Sequence, residues 1–385
     1  MSVASAIRAD DPSALPSRRD EDWRWTDLRG LIRVVPPPSA RPERPVPEGG
    51  PFKGLGDIEL TIANGHLNWW PDPDIPGPVR VHTHDAPEAP FLTAGHPMAS
   101  RAARNGRDPR ISIISFDKDG TALLRFVSDG GGSHDARVGV MVPAGVRAKL
   151  LESYEGRGDG YLANYLIEVF LGEGAELERV VVADEAAEGV SVSTAEIHLK
   201  HGASFAQTVV ASGARRQRIE TRVAHPGGGA KLRLDGVYLL EGKRHADLTT
   251  VVEHKGADGV TAQLTKGVVR DQSRGVFQGR IVVAQGADRT DARMEHHALI
   301  LGDRAEVDAK PELEIYADDV ACSHGNTIGA LDQDALFYAR QRGIPEPGAR
   351  ALLTEAFIGE VVDRIWFEGA REVVRQWAGD RLRRT

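Results

Sequence analysis

Two side chains in the C-terminal third carry groups that hold metals or act as a nucleophile and its base. They are Cys322 and His324, in the run KPELEIYADDVACSHGNTIG over residues 310–329. Being two residues apart, they leave the same face of an extended strand. A thiolate and an imidazole facing together can bind iron or zinc, or form a nucleophile–base pair. The plainer alternative is a buried structural cysteine beside a turn histidine. Three features favour chemistry: Cys322 is the only thiol of the chain, Asp318 and Asp319 lie beside it, and the run joins a β-rich region to a helical tail. Two ligands cannot close a tetrahedral site, so a metal or cluster here needs further ligands from another chain. A single cysteine also excludes a disulfide framework, an all-thiolate zinc site and a self-contained four-thiolate cluster, and it makes a reducing, cytoplasmic compartment the expectation.

Other candidates are weaker. His82 and His84 share a strand face, but their segment is polar and proline-flanked, which argues against metal binding. His296 and His297 point to opposite faces if extended, a poor ligand pair, and their role stays open. Trp69–Trp70 reads as local packing, and Arg381, Arg383 and Arg384 read as a solvated helix terminus. There is no G-x-x-x-x-G-K-[ST], H-E-x-x-H or G-x-S-x-G, so no ATPase or hydrolase motif is present and no catalytic residue is assigned. With 48 Lys+Arg against 56 Asp+Glu the net charge is −8, which argues against nucleic acid or an anionic membrane as partner. No apolar run reaches the roughly 18 residues of a membrane span, and no apolar leader follows Met1.

The elements that must position Cys322 and His324 are β. Short alternating runs recur from residue 108 to 330, among them Ile111–Phe116, Ala122–Val127, Arg147–Leu151, Leu177–Val182, Val190–His198 and Thr261–Lys266, and Ile58–Ile62 is one short strand candidate upstream. A Gly followed by a new strand recurs at Gly145, Gly174, Gly202, Gly229, Gly256 and Gly286, at intervals of 29, 28, 27, 27 and 30 residues. A looser series (Gly189, Gly213, Gly242, Gly275, Gly302) falls about half a period away. Such a period with two turn marks predicts a flattened parallel β-helix; evenly spaced hairpins of an antiparallel sandwich are the alternative. Residues 1–107 read as a helical and irregular N-terminal domain, with acids at 20–22 opening a helix and a proline-rich extended linker over 34–51. Residues 331–385 read as a helical domain. Asp332 or Asp334 caps a first helix that Gly343 ends, a second spans Ala349–Trp366 with Leu352, Leu353, Ala356, Phe357, Val361 and Ile365 on one side, and a third runs from Glu368 to about Arg383. The tail is expected to cap the open edge of the solenoid.

The run EIYADDVACSHGNTIGALDQDALFYARQRGI (residues 314–344) resembles the SufD branch of the SufB/SufD family of the SUF iron–sulfur cluster assembly scaffold. FQGRIVVAQGADRTDA (277–292), DRAEVDAKPELEIYADDV (303–320) and the N-terminal RRDEDWRWTDL (18–28) continue the likeness, which is faint between residues 35 and 107. Where related chains carry an Asn- and Leu-rich run, this one reads RMEHHALIL (293–301), and the SufB-type cysteines and Glu-His-Glu-Ala tail are missing.

The resemblance implies a right-handed parallel β-helix flanked by small N- and C-terminal helical parts, pairing with a SufB-like subunit and docking a SufC-like ABC-type ATPase through the C-terminal helices. It implies a metal or cluster role at the heterodimer interface for Cys322 and His324, with Asp318 and Asp319 behind them. It places the ATPase contact on Leu336, Phe337, Arg340, Arg342, Gly343, Ile344, Leu352 and Phe357. The expected cargo is iron or a nascent Fe–S cluster held transiently in the complex, with no cofactor bound stably by the isolated chain. The function implied is that of a non-catalytic scaffold. The readings it competes with are a β-helix polysaccharide lyase or hydrolase and a purely structural homodimer.

Overall fold

Residues 11–42, 46, 49–69, 77–85, 96–105, 110–158, 160–225 and 227–383 are described in a computed structural model. From Arg110 onward every successive strand joins the sheet opposite to its predecessor, giving a ten-stranded and a nine-stranded sheet. Strands in each sheet pair in parallel with strands one full turn away: Gly120 lies opposite Ala148, Glu176 opposite Ser204, Lys231 opposite Val260 and Thr290 opposite Val320. Those offsets of 28, 28, 29 and 30 residues are the glycine period read from the sequence, and they make the molecule a parallel β-helix of about seven turns. The sheets also extend into the N-terminal third. Ile58–Ala63 pairs in parallel with Gly120–Ser128, and Val79–Asp85 pairs antiparallel with Arg110–Phe116.

The strands are apolar on both faces because both faces are covered. In Tyr161–Leu171, one set of alternate residues (Tyr161, Ala163, Tyr165, Ile167, Val169, Leu171) fills the interior. The other set includes Leu162 and Leu166, which meet the N-terminal segments outside. Burial of such side chains stabilises by about 1.5–3 kcal/mol each. At the corners, Gly145, Gly174, Gly202, Gly229 and Gly286 all have positive φ, which glycine adopts without steric cost. Gly256 differs: Asp258 takes the left-handed position there, and a Cβ on Gly256 would stand 2.4 Å from the backbone nitrogen of Gly228.

Among the described residues of 11–42, helix occurs only in single turns, at Pro12–Ala14, Glu21–Trp23 and α1 (Leu28–Leu31), because these residues are ordered by the nine-stranded sheet rather than by helix propensity. Trp23 is buried beneath the Arg218 guanidinium, 4.3 Å from the ring centroid, and Thr26 Oγ1 donates to Asp247 at 2.5 Å. The start of the proline-rich segment is attached to the solenoid: Ser39 N donates to the Ser133 carbonyl at 2.9 Å, and Ser133 N to the Pro37 carbonyl at 2.7 Å. Helix α2 (Pro97–Asn105) buries Met98, Ala99 and Ala102 on the same side.

Three helices close the chain: α3 (Gln333–Gln341), α4 (Glu346–Val362) and α5 (Glu368–Arg383). Asp332 is the N-cap of α3, its carboxylate accepting from Asp334 N and Ala335 N, and Gly343 follows the helix at φ +85. The tail does not cap the open end of the coil. Ile358, Val361, Ile365, Val374 and Leu382 pack instead on Leu151, Val180, Val210, Val237 and Leu264, on the outer face of the ten-stranded sheet. Area decides this: a sheet face offers far more apolar surface than the end of one rung. The buried face of α4 therefore runs through Thr354, Ile358, Val361 and Val362, while Leu352 and Ala356 of the expected stripe point outward. The junction is fixed by Glu178, whose carboxylate accepts from Trp366 N at 2.6 Å and Phe367 N at 2.9 Å. Arg381 is no solvated terminus either, since it pairs with Asp184 of the sheet. Trp70 lies outside the described residues, as do the side chains of Trp69 and His84.

Candidate functional site

The last turn of the coil consists of the strands Glu306–Ile315 and Val320–Gly329, and each ends its sheet. The two edges differ in sequence. The nine-stranded sheet ends on a strand with Lys310, Pro311, Glu312 and Glu314, charges and a proline that discourage further pairing. The ten-stranded sheet ends on VACSHGNTIG, which contains no Asp, Glu, Lys or Arg.

Cys322, His324 and Asn326 lie opposite Ala292, Met294 and His296 of the preceding rung. Ala292, Met294 and His296 are fully buried, so Cys322 and His324 share a face, as their spacing predicts, and it is the face that lines the interior of the coil. No further rung stacks on them. Cys322 is half-buried against the core, and His324 is exposed. Burial raises the Cys322 pKa, Asp291 adds to the rise, and a backbone hydrogen bond with Ala292 opposes it. Unaided, the group is a thiol at neutral pH. Ionisation needs an arriving cation or metal, which suits a ligand better than a preformed nucleophile.

Asp318 and Asp319 form the exposed turn before this strand, where the Asp319 carbonyl accepts from Arg289 N at 2.6 Å. Among the described residues no set of three or more His, Cys, Asp and Glu side chains is placed to hold a metal ion. Among the described residues the pair offers two donor groups on one strand face.

The sequence left the roles of His296 and His297 open, and the fold gives His296 one. Its ring stacks on Phe277 at 4.7 Å, with Nε2 2.9 Å from the Tyr238 hydroxyl and Nδ1 2.7 Å from Asn326 Oδ1. A neutral ring satisfies both contacts, donating from Nδ1 and accepting at Nε2. Burial lowers its pKa to about 4, with His297 adding to the fall and the Asn326 hydrogen bond opposing it. His296 thus anchors the edge strand through Asn326, two residues beyond His324. Asn326 and Tyr238 carry no sequence signal on their own; only the 30-residue register offset between His296 and Asn326 brings them together. His297 faces outward, 3.6 Å from Glu295.

The residues expected to contact an ATPase divide into two sets. Leu336 is buried and, with Ala339 and Ala349, forms a small core that Ile344 joins, so these two hold the α3–α4 hairpin together. Phe357 is half-buried with the Lys266 ammonium 4.5 Å from its ring centroid. At the surface lie Phe337 (64% exposed), Leu352 (52%), Arg340, Arg342 and Gly343. Tyr338, absent from the expected set, is 61% exposed and accepts from Arg342 Nη2 at 2.8 Å.

The chain is a parallel β-solenoid whose last rung leaves a thiol and an imidazole at an open edge, and comparison with known proteins specifies its family. Residues 126–357 match the family model described as SUF system FeS cluster assembly, SufBD core domain. The chain is similar to the iron–sulfur cluster assembly protein SufD of Escherichia coli, with 27% identity covering 96% of this chain and 90% of that one. It is 30% identical to an iron–sulfur cluster assembly SufBD family protein of Mycobacterium tuberculosis, covering 94% and 88%, and 25% identical to one of Synechocystis, covering 94% and 86%. The chain belongs to the SufBD family of iron–sulfur cluster assembly proteins. No helix among the described residues is long and apolar enough to cross a membrane.

Proposed function

We propose that the chain is a SufD-type, non-catalytic scaffold subunit that completes its site only in a complex. The observation that carries this reading is the last strand, an unpaired and uncharged edge with Cys322 and His324 on one face. A SufB-like partner pairs with that edge and supplies the remaining ligands, so that iron or a nascent Fe–S cluster is held between the two chains. Asp318 and Asp319 shape the turn leading to the site and add negative charge beside it. A SufC-like ATPase docks on the α3–α4 hairpin, with Phe337, Tyr338 and Leu352 as apolar anchors and Arg340 and Arg342 as charged contacts. ATP-driven movement of that hairpin, whose continuation is packed on the ten-stranded sheet, opens or closes the interface.

The test uses the complex co-expressed with its two partners. Ile328→Pro, which removes a backbone donor that faces the open edge and leaves the ladder to the preceding rung intact, is expected to abolish pairing with the SufB-like subunit in size-exclusion chromatography. Cys322→Ala and His324→Ala are expected to leave pairing intact while reducing the cluster absorbance several-fold. Unchanged cluster content in both single variants and in the double variant sinks the site assignment. A homodimer that the partner does not displace sinks the pairing.

A further inference from the structure

The N-terminal turns and the start of one solenoid strand form an open pocket of about 630 Å³, lined by Ser17, Arg18, Arg19, Asp27, Arg29, Gly30, Leu31, Arg33 and Arg216. Five of those residues are arginines and one is acidic, in a chain whose net charge is −8. Elsewhere on the same face arginines are neutralised: Arg218 bonds to Asp247 at 2.7 Å and to Glu220 at 2.8 Å, and Arg280 bonds to Asp22 at 2.6 Å. None of the five cavity arginines has a carboxylate within ion-pairing distance among the described residues. Asp27 is already engaged, accepting from Gly30 N at 2.7 Å. Arg29 is oriented by donating from Nε to the Leu15 carbonyl at 2.9 Å. Arg216 donates to the Arg215 carbonyl at 2.8 Å, while its Nε is buried without a partner.

Like charges gathered in one concave place repel one another, and an anion bound among them relieves that repulsion. Guanidinium forks match the oxygens of phosphate two at a time, and five of them exceed what one phosphate group accepts. The volume falls within the usual range for small-molecule pockets, roughly 300–1,000 Å³. No aromatic ring lines the cavity, so recognition rests on the anion and not on stacking. We propose that this cavity binds a small molecule bearing two adjacent phosphate groups. The site is separate from Cys322 and His324 and does not depend on their role.

The test is isothermal titration of the full-length chain with inorganic diphosphate at low ionic strength, and separately with ADP. Saturable binding of diphosphate is expected, weakened at least tenfold in the Arg19→Gln/Arg33→Gln variant and progressively by added salt. Both positions are exposed, and an unchanged thermal unfolding curve shows that the variant is folded. Arg289→Gln, a charge removal at an exposed ion pair outside the cavity, is expected to bind as the parent does. ADP binding more tightly than diphosphate identifies a nucleoside diphosphate as the ligand type, whereas equal affinity shows that the phosphates alone are read. The proposal is overturned if diphosphate shows no saturable binding, if the double variant binds it as tightly as the parent, or if Arg289→Gln weakens it equally.

Discussion

The middle rungs and the last rung of the coil use the same inward-facing positions in opposite ways. In the middle, the interior holds Arg179, wholly buried, with Nε 2.8 Å and Nη2 2.6 Å from the two Glu152 oxygens and Nη1 2.7 Å from Gln207 Oε1. Thr221 donates to Gln207 at 3.1 Å, and Tyr154 donates to Glu152. At the end, the equivalent row is Cys322, His324 and Asn326, of which Cys322 and Asn326 reach back to Ala292 and His296 of the preceding rung and His324 is exposed. The chemistry of the side chains is not what separates the two regions. Each middle rung has a successor that supplies partners, and the last one has none, so its polar groups remain for a ligand or another chain.

The largest break in that contrast is expected from Arg179→Ala, which strands a buried Glu152 carboxylate. Removing one partner of a buried pair destabilises by about 3–5 kcal/mol. Denaturant unfolding should show the loss, and Arg179→Met combined with Glu152→Gln should recover most of it.

Acid is expected to act next, through histidines buried in neutral form. Burial lowers His245 and His296 to about 4, and it lowers His225 and His254, which face each other at 2.5 Å. The unfolded chain titrates near 6.5 and binds protons that the folded chain refuses. Stability from these groups is therefore complete above about pH 6.5 and falls as pH drops toward 4, by up to about 1.4 kcal/mol per pH unit for each histidine. Equilibrium unfolding between pH 7 and pH 4 measures the slope, and His296→Gln should flatten it in part.

A smaller and local effect is expected from Asn326→Ala. Loss of its hydrogen bond to His296 should cost about 1–2 kcal/mol and speed amide exchange in residues 320–329 more than in Gly120–Ser128. The smallest belongs to His324→Ala, which should change stability by no more than about 0.5 kcal/mol because the side chain is exposed. A large destabilisation there would mean that the last rung is as self-sufficient as the middle ones.

Much of this was legible in the sequence for a physical reason. A coil of fixed circumference repeats its corners at a fixed interval, and a corner with positive φ selects glycine, so Gly145, Gly174 and Gly202 announce the fold without an alignment. The i, i+2 spacing of Cys322 and His324 likewise fixed their common face once the segment was a strand. The N-terminal turns were harder. Trp23, Trp25 and Leu28 mimic helical spacing, yet the docking of Trp23 under Arg218 sets the conformation, and that contact spans 195 residues. The α4 stripe misled for a related reason, since helical spacing marks an apolar side and the packing partner decides which side is buried.

The sequence by itself determined the period, the two-faced β texture and the common strand face of a thiol and an imidazole, because all of these follow from local geometry. Only the tertiary structure decided which turn is the last, that the helical tail covers a sheet face and leaves the open end bare, that His296 holds the edge strand through Asn326, and that Arg216 joins four arginines of the N-terminal segment at one pocket. These depend on which residues far apart in sequence compete for the same surface, and that competition is settled by packing and charge in three dimensions.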